Sequence, residues 1–578
     1  MKNFLDSKIL KSFLPVFVLL FAFSVRVYGI NWDQNQHLHP DERFLTMTTD
    51  SMVWPDSFSQ YLNSSLSKLN PYNVGASFYV YGTLPTTLVK YFSRFLIFDE
   101  FQYNNITLTG RFLSALFDAG VVYLVYLITS RIFNKKTALV SSILYATSVL
   151  PIQLSHFFAV DTFLNFFLVL TFYFLVKLLF EEKNYFGVFI GLSYGAALAC
   201  KISAVYFLPI IALGLVFYFL KRRRFSTLFY CLLPSAVFSY FSFRILDPHV
   251  FLGDSFLPKI NPQFIENVLQ LKSFENPNIY YPPGVQWLKI TPIIFPLKNI
   301  ILWGLGLPLG IISITALLNQ FFILIKSLYK KSEDFKNLPA LLKIPKANRL
   351  SFFLIILWVI VLFVYQGTQH SPSMRYFLPI YPFLAIVSAN FLVSYLFSKT
   401  KFSLLILLTL FIWPTSFLAI YSRPHSRVSA SGWIYQNIPA GSTISCDLWD
   451  DCLPLALEDG WSPYQYKTLT MEPFAPDTPE KVKNFEKQLK QIDYLVLSSN
   501  RGFASIPKAP EKYPFMSKFY EDLLSGKLNF EKVAEITSYP TFPVLNIPIP
   551  DQSSEEAFTV YDHPKILIFK NTLKSFSE

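Results

Sequence analysis

A short polar segment near the start of the chain holds residue types that transfer protons and bind phosphates or sugar hydroxyls. Residues 30–44 include His39, Asp41, Glu42 and Arg43, and they follow an apolar stretch. A carboxylate can act as the general base that deprotonates an attacking hydroxyl, while cations stabilise a departing phosphate. Adjacent Asp41 and Glu42 cannot flank a sugar ring as paired glycosidase carboxylates do. One is therefore expected to be the base and the other its support, and Asp41 is our predicted base.

Further polar residues lie within or at the ends of apolar stretches. A charged residue at the centre of a membrane costs about 3 kcal/mol on insertion scales, so each needs an explanation. The planar fork of an Arg side chain matches phosphate oxygens, and a Lys adds a point charge. The residues concerned are Arg111, Asp118, His156, Asp161, Lys201, Arg375 and Tyr376.

Most of these residues also have a structural explanation. Arg111 and Asp118 would lie on one helical face about 10 Å apart, as a polar pair within a helix bundle. Asp161 at a helix start would serve as an N-cap. His156 fits a packed interfacial histidine, and Lys201 fits a side chain that reaches lipid headgroups. The sequence leaves these alternatives open.

The composition identifies the class of protein. Of the 578 residues, 52% are hydrophobic and only 15% are charged, which is too little polar surface for a soluble globule. The net charge of +12 comes from Lys and Arg residues dispersed between apolar runs. That distribution is typical of membrane topology, so the lipid bilayer is the expected partner and nucleic acid is not.

Eleven apolar stretches are long enough to be membrane-spanning helices. At 1.5 Å per residue, about 20 residues cross a hydrocarbon core of roughly 30 Å. The predicted spans are 13–30, 111–132, 137–155, 160–180, 186–200, 203–220, 226–245, 300–325, 350–366, 376–397 and 403–421. The first lacks a small-residue cleavage site and is predicted to be a retained anchor.

The distribution of cations predicts the orientation. With the N-terminus in the cytoplasm, the cytoplasmic turns carry most Lys and Arg residues, and the odd number of spans places the C-terminus outside. Lys201 and Arg375 are exceptions at outer helix ends, which favours a ligand for them. The cytoplasmic cations are Lys2, Lys8, Lys11, Arg131, Lys135, Lys136, Lys177, Lys183, residues 221–224, the cluster within 326–349, Lys399 and Lys401.

Three outer parts are large enough to build a site. Loops 31–109 and 247–298 are long, and long loops on one face often carry function. They belong to a predicted catalytic membrane domain, residues 1–421. Residues 422–578 are predicted to form a small α/β domain, with helices at 431–437 and 479–491 and strands at 442–446, 493–498 and 565–570.

The four cysteines give weaker information. Cys200 and Cys231 lie in predicted spans and are interpreted as packing residues. Cys446 and Cys452 lie in the predicted outer domain, where a disulfide and two free thiols remain equal alternatives.

Taken together, several motifs resemble those of the phospholipid-carrier-dependent glycosyltransferases, the superfamily of protein O-mannosyltransferases and aminoarabinose transferases. The similarity is greatest to bacterial members of the family 39 type, and it covers nearly the whole chain. The motifs are His39-Pro40-Asp41-Glu42, Gly110-Arg111, Asp161 after Ser155-His156-Phe157, Arg375-Tyr376 before Pro379, residues 423–428 and residues 560–565.

This resemblance implies a GT-C fold, a polyprenyl-phosphate sugar donor and inversion at the anomeric carbon. It makes Asp41 the base, with Glu42 orienting the acceptor or a metal. It makes Arg111, Lys201 and Arg375 contacts of the donor phosphate and Asp161 a contact of the sugar or acceptor. His39, His156 and Tyr376 are included among the predicted substrate-binding residues.

The resemblance leaves the cofactor and the acceptor open. Some GT-C branches use a divalent metal and others do not, so no cofactor is certain. The chain lacks the MIR-type insert of eukaryotic protein mannosyltransferases, so the acceptor is a glycolipid, a glycan or a protein. A transporter or flippase for lipid-linked sugars and a ligand sensor are alternative functions. The polar residues cluster toward the outer rim without an internal repeat, which favours the transferase.

Overall fold

The computed structural model describes residues 8–329, 346–397, 403–458 and 460–574. It consists of a large helical bundle followed by a small α/β domain, so the predicted class, a polytopic helical membrane protein with a C-terminal α/β domain, is confirmed. Of the cations used to predict the orientation, Lys2, Lys399, Lys401 and most of the 326–349 cluster lie outside the described residues.

A helix overlaps each of the eleven predicted spans, but several of these helices are too short to cross a membrane. Among the described residues, seven helices are long and apolar enough to cross a membrane, or eight if one bent pair is a single span. The number eleven therefore stays a prediction. The main helices of the bundle are Lys8–Val27, Gln102–Ile132, the bent pair Lys135–Ala146 and Val149–Ser155, Val160–Glu181, Phe186–Leu198, Leu208–Arg222, Leu233–Leu246, Leu307–Tyr329, Lys346–Gly367, Tyr381–Phe391 and Ser403–Leu418.

The second helix is longer than predicted. It begins at Gln102 instead of residue 111, because polar side chains of its first turns bond to the preceding loop. The Asn105 amide donates to the carbonyl of Ser93 at 2.9 Å and accepts from the backbone N–H of Phe98 at 2.7 Å. Arg111 consequently lies inside the helix and not at its start.

A buried ion pair joins the first two helices of the bundle. Arg26 Nε donates to Asp118 at 2.6 Å, and the Tyr145 hydroxyl donates to the other oxygen of that carboxylate at 2.5 Å. Asn165 in turn donates to the Tyr145 hydroxyl at 2.9 Å. The alternative of a structural polar pair within the bundle therefore holds for Asp118, but its partner is Arg26 and not Arg111.

The two long loops are folded and pack on each other. The first contains the helices Pro40–Ser51, Phe58–Leu62 and Thr83–Phe92, and the second contains Pro262–Ser273 and Ile294–Asn299. Asp247 accepts hydrogen bonds from the backbone N–H and the hydroxyl of Thr83 at 3.1 and 2.7 Å.

The first loop also contacts the chain just before Lys201. The backbone N–H of Gly82 donates to the carbonyl of Cys200 at 2.9 Å, which fixes this part of the chain. A Cβ at Gly82 would lie 1.9 Å from the Ala199 carbonyl oxygen, so this contact requires glycine.

The C-terminal domain is built on a five-stranded sheet with apolar clusters on its two faces. The strands are β1 (Thr443–Asp447), β2 (Lys467–Met471), β3 (Tyr494–Leu497), β4 (Phe530–Ile536), β5 (Thr541–Phe542), β6 (Ile547–Pro548) and β7 (Ile566–Asn571). The sheet order is β2-β1-β3-β7-β4, with β5 and β6 forming a separate hairpin. The domain's helices are Ser426–Asn437, Pro479–Gln491, Arg501–Ser505, Pro514–Leu524 and Glu556–Thr559. All three predicted strands and both predicted helices are present.

A disulfide bond joins Cys446 to Cys452, which decides between the two alternatives left by the sequence. The bond closes a turn that contains Asp450 and Asp451. Both carboxylates form ion pairs with the buried Arg427. Asp451 also binds Arg43 of the first long loop at 3.0 Å, so this turn connects the domain to the helix that carries Asp41.

The segment 549–563 docks the C-terminal domain onto the bundle. Phe558 belongs to the bundle's own apolar core. The Asp562 carboxylate accepts hydrogen bonds from Gln153 at 2.9 Å and from Tyr421 at 3.1 Å. His563 lies between Asp562 and Asp551 at 2.5 and 2.7 Å. Burial alone would lower the pKa of His563, but the two carboxylates outweigh it and raise this pKa to about 10.

This histidine provides a stability test. A raised pKa stabilises the folded state below the unfolded value of about 6.5, and the contribution disappears as the pH rises through the folded value. We expect His563→Asn to lower the Tm of the detergent-solubilised protein by several degrees at pH 6.5. The difference from wild type should shrink as the pH approaches 10. A difference that stays constant with pH would show that His563 is not charged in the folded protein.

Candidate active site

Two residues predicted to act together, Asp41 and Arg375, form an ion pair. Asp41 lies in the first turn of the helix Pro40–Ser51, and Arg375 lies in the turn Met374–Ile380 that precedes a bundle helix. The two side chains are 33% and 25% exposed, so a ligand can reach them. The structure thus brings together a carboxylate and a cation that are far apart in sequence.

Three more predicted residues adjoin this pair. Lys201 donates to Asp161 at 2.8 Å, and the Lys201 Nζ lies 5.2 Å from the centre of the Tyr376 ring. The guanidinium carbon of Arg375 lies 5.4 Å from the same ring centre. We refer to Asp41, Asp161, Lys201, Arg375 and Tyr376 as the rim cluster. It places two cations on one aromatic ring, with a carboxylate beside each cation. Because Asp161 is the second residue of its helix and bonds to Lys201, it is not the N-cap.

The charge of Asp41 is set by its neighbours. Burial alone would raise the pKa of this carboxyl, but Arg375, with smaller contributions from His39 and Lys201, holds it well below its usual range. Asp41 is therefore ionised at neutral pH. Its affinity for a proton depends mainly on whether Arg375 remains its partner.

A cavity of about 60 Å³ opens beside the rim cluster. Its walls come from the bundle, from the second long loop and from the docking segment of the C-terminal domain. Trp287 in this wall is 7% exposed, and its indole N–H has no hydrogen-bond partner. Besides Arg375, the lining includes seven ring-bearing side chains and three polar ones: His39, Phe157, Tyr281, Trp287, Tyr376, Phe558 and Tyr561, together with Gln153, Gln286 and Glu555.

Arg111 is not at this cavity but at the centre of a buried network. It binds Glu42 with two hydrogen bonds of 2.8 and 2.7 Å and Asp33 with two of 2.8 Å. It also donates to the carbonyl of Ile30 at 2.8 Å and lies over the ring of Trp32 at 4.7 Å. An arginine has five N–H donors, and these contacts use all of them. Burial alone would raise the pKa of Asp33, but Arg111 outweighs it and lowers this pKa.

The predicted roles of Arg111 and Glu42 do not fit this geometry. The Arg111 side chain is 1% exposed and has no donor left for a phosphate. The Glu42 side chain is fully buried, and its carboxylate also accepts from the backbone N–H of Phe158 at 2.7 Å. Both residues fix the loop that carries Asp41 instead of contacting a ligand.

The two histidines differ. His156 is fully buried, stacks on Tyr421 with ring centres 3.6 Å apart, and has both ring nitrogens within 2.9 Å of backbone carbonyls. This geometry matches the packed interfacial histidine and not a substrate contact. His39 caps the helix of Asp41 through Nδ1, lines the cavity and contacts the Tyr561 ring at 4.4 Å. Burial lowers the pKa of His39, which favours the neutral ring.

Glu555 is a cavity residue that the sequence reasoning missed. Its carboxylate accepts from the Ser373 hydroxyl at 2.7 Å and from the backbone N–H of Met374 at 2.8 Å. It thereby binds an unpaired N–H at the start of the turn that carries Arg375. Burial raises the pKa of Glu555 to about 7. The only signal in the sequence was the pair Glu555-Glu556, close to the motif at 560–565.

A metal site was the other possibility for the carboxylates. Among the residues that the structure describes, no group of three or more His, Cys, Asp or Glu side chains is arranged to hold a metal ion. Asp41 and Asp161 are paired with Arg375 and Lys201 instead.

Comparison with known sequences supports the family resemblance. Residues 102–244 match the model of the family described as dolichyl-phosphate-mannose-protein mannosyltransferase. This stretch contains Arg111, Asp161 and Lys201, whereas Asp41 and Arg375 lie outside it. The match confirms the resemblance to a glycosyltransferase family. No curated protein sequence matches the chain significantly.

Several solved structures are similar to this one at low sequence identity. The Archaeoglobus fulgidus oligosaccharyltransferase in its apo form has 14% identity and a TM-score of 0.47, over 94% of this chain and 76% of that one. ArnT from Cupriavidus metallidurans in the apo state has 13% identity and a TM-score of 0.40, over 96% and 98%. The Saccharomyces cerevisiae protein O-mannosyltransferase Pmt1-Pmt2 complex has 17% identity and a TM-score of 0.30, over 42% and 35%.

The buried network of Arg111 generates a prediction that separates a structural role from a binding role. Arg111→Ala leaves Asp33 and Glu42 buried without a cation, which typically costs about 3–5 kcal/mol of stability. We expect a large loss of folded protein in detergent and a Tm several degrees lower. Arg375→Ala, which removes a partly exposed cation, should change the Tm little. A wild-type Tm for Arg111→Ala together with weaker donor binding would restore Arg111 as a phosphate contact.

Proposed function

We propose that this protein transfers a sugar from a polyprenyl-phosphate-linked donor to a hydroxyl of an extracytoplasmic acceptor, with inversion at the anomeric carbon. The observation that carries the proposal is the accessible pair of Asp41 and Arg375 beside an aromatic cavity. The family match over residues 102–244 supports it. In this proposal the N-terminus is cytoplasmic, and the C-terminal domain and the rim cluster face outward.

Arg375 and Lys201 are the proposed ligands of the donor phosphate. Their cationic groups lie 5.4 and 5.2 Å from the centre of the Tyr376 ring, and both side chains are partly exposed. The planar fork of Arg375 suits phosphate oxygens. A bound phosphate competes with Asp41 for Arg375. The pKa of Asp41 then rises, so the carboxylate becomes a stronger base when the donor is in place.

In the proposed reaction, the acceptor hydroxyl oxygen attacks the anomeric carbon from the side opposite the phosphate. Asp41 takes the hydroxyl proton while the bond between the anomeric carbon and the phosphate oxygen breaks. The phosphate leaves with the bonding electrons, and Arg375 and Lys201 stabilise its added negative charge. Asp161 holds Lys201 in place, and Tyr376 supports both cations.

The cavity offers contacts to part of a sugar or to a small group of an acceptor. Its aromatic walls offer apolar faces, and the free indole N–H of Trp287 offers a hydrogen-bond donor. A glycolipid, a glycan and a protein all present hydroxyls of the required kind, so the acceptor class remains open within the proposal. The proposal leaves the metal requirement open, and the dependence of transfer on a divalent ion is a variable to be measured.

The base assignment is tested by Asp41→Asn. We expect sugar transfer from undecaprenyl-phosphate or dolichyl-phosphate donors in proteoliposomes to fall about 10²–10⁴-fold, the usual contribution of a general base, while the protein stays folded. Glu511→Gln is the control, because Glu511 forms an exposed ion pair with Lys289 at 2.8 Å in the C-terminal domain region. Wild-type rates for Asp41→Asn would exclude Asp41 as the base. Movement of intact lipid-linked sugar across the vesicle without cleavage would show a flippase instead.

The role of Arg375 is tested by the pH dependence of kcat/KM, which reports the pKa of groups in the free enzyme. In the wild type, kcat/KM for the donor should stay level through about pH 4, the ordinary range of an aspartate. Arg375→Gln removes the main group that opposes the effect of burial on the pKa of Asp41, so activity should decline with falling pH already at or above this range. The KM for the donor should also rise more than the KM for the acceptor.

Arg43→Gln is the matched control for this experiment. Arg43 lies on the same helix as Asp41 but pairs with Asp451, so Arg43→Gln removes one positive charge from the region, as Arg375→Gln does, without removing the partner of Asp41. Its pH profile should match that of the wild type. Identical profiles for Arg375→Gln and Arg43→Gln would contradict the proposed control of Asp41 by Arg375.

A further inference from the structure

The β5–β6 hairpin of the C-terminal domain has an unusually apolar, exposed tip. Residues 543–550 read Pro-Val-Leu-Asn-Ile-Pro-Ile-Pro and carry no charge. Val544 is 95% exposed, Leu545 is 63% exposed and Ile547 is 55% exposed. Turns at the surface of soluble domains are normally built from Gly, Asn, Asp, Ser and Pro, and contiguous exposed apolar residues usually mark an interaction site.

The base of the hairpin is fixed at the end of the last bundle helix. Arg423 follows this helix and donates to the carbonyl of Tyr539 at 2.6 Å and to the hydroxyl of Thr541 at 3.1 Å. At the other side of the base, Ile549 donates through its backbone N–H to the carbonyl of Pro540 at 2.7 Å and packs on the bundle core. The tip is therefore presented from a firm base.

The position of the hairpin follows from these contacts. The chain passes from Tyr539, which lies beside Arg423 beyond the helix end, to β5, which packs against the helix Ser403–Leu418 itself. The first strand of the hairpin therefore lies beside this helix. The helix exposes Leu408 at 56% and Ile412 at 39% on its surface, as expected of a lipid-facing span. The exposed apolar tip thus extends from a strand that packs on a helix with an exposed apolar surface.

We propose that residues 543–547 insert into the lipid leaflet on the side of the C-terminal domain and anchor that domain to the bilayer. Continuity with the apolar surface of the last helix favours lipid over a second copy of the chain as the occupant. The anchor acts on the same domain that supplies Glu555 and Tyr561 to the cavity. The inference requires only the membrane location of the bundle, and it holds or fails independently of the proposed sugar transfer.

Depth-dependent quenching tests the insertion in the full-length protein. Val544→Cys and, separately, Leu545→Cys are labelled with an environment-sensitive fluorophore, and the protein is placed in nanodiscs containing lipids with a nitroxide in the acyl chain. The native cysteines do not compete, because Cys446 and Cys452 are bonded and Cys200 and Cys231 are buried.

Tyr464→Cys is the matched control. Tyr464 is also 95% exposed and lies in the same domain. It precedes β2, which is one edge strand of the sheet, whereas the hairpin follows β4, the opposite edge strand. We expect blue-shifted emission and at least about twofold stronger quenching at positions 544 and 545 than at 464. Equal quenching at all three positions would overturn the proposal. Emission at 544 that changes only with protein concentration in detergent would also overturn it, in favour of self-association.

Discussion

The site depends on the buried cation of Arg111, which holds two carboxylates from separate parts of the first loop. Asp33 lies in the turns after the first helix, and Glu42 lies in the first turn of the helix that follows. Both would be costly to bury alone, so the loop is stable only where both reach the same guanidinium. Consecutive residues on a helix point in different directions, and this geometry turns Asp41 away from the network when Glu42 is inside it. The exposure of Asp41 is thus a consequence of the burial of its neighbour.

The charged residues therefore fall into two groups with different tasks. Pairs that are almost fully buried, such as Arg26 with Asp118 and Arg111 with Glu42, join helices and loops. The pair of Asp41 and Arg375 is partly exposed beside the cavity, so an anionic ligand can separate it. Such a pair is suited to catalysis, because the pKa of the carboxylate rises when its cation binds a ligand instead.

The C-terminal domain is part of the site instead of an independent appendage. Glu555 binds the start of the turn that carries Arg375, and Tyr561 packs against His39 in the cavity wall. The disulfide-closed turn reaches Arg43 on the helix of Asp41 through Asp451. These contacts come from both ends of the domain sequence, so the orientation of the domain bears directly on both members of the accessible pair. A sensor domain connected only by a linker would not show them.

The sequence by itself determined the membrane class, the positions of the apolar helices, the strands and helices of the terminal domain, and the residues of the rim cluster. These follow from local properties: hydrophobic length, periodicity, and charges placed where the membrane disfavours them. Only the tertiary structure decided which charges pair. It assigned Asp118 to Arg26 and Arg111 to Asp33 and Glu42. It also moved Arg111 and His156, predicted as substrate contacts, and Glu42, predicted as a catalytic residue, to buried supports. It also brought Glu555 to the turn of Arg375. Such pairings join residues tens to hundreds of positions apart, and their energies depend on burial and geometry that residue types and spacing do not contain.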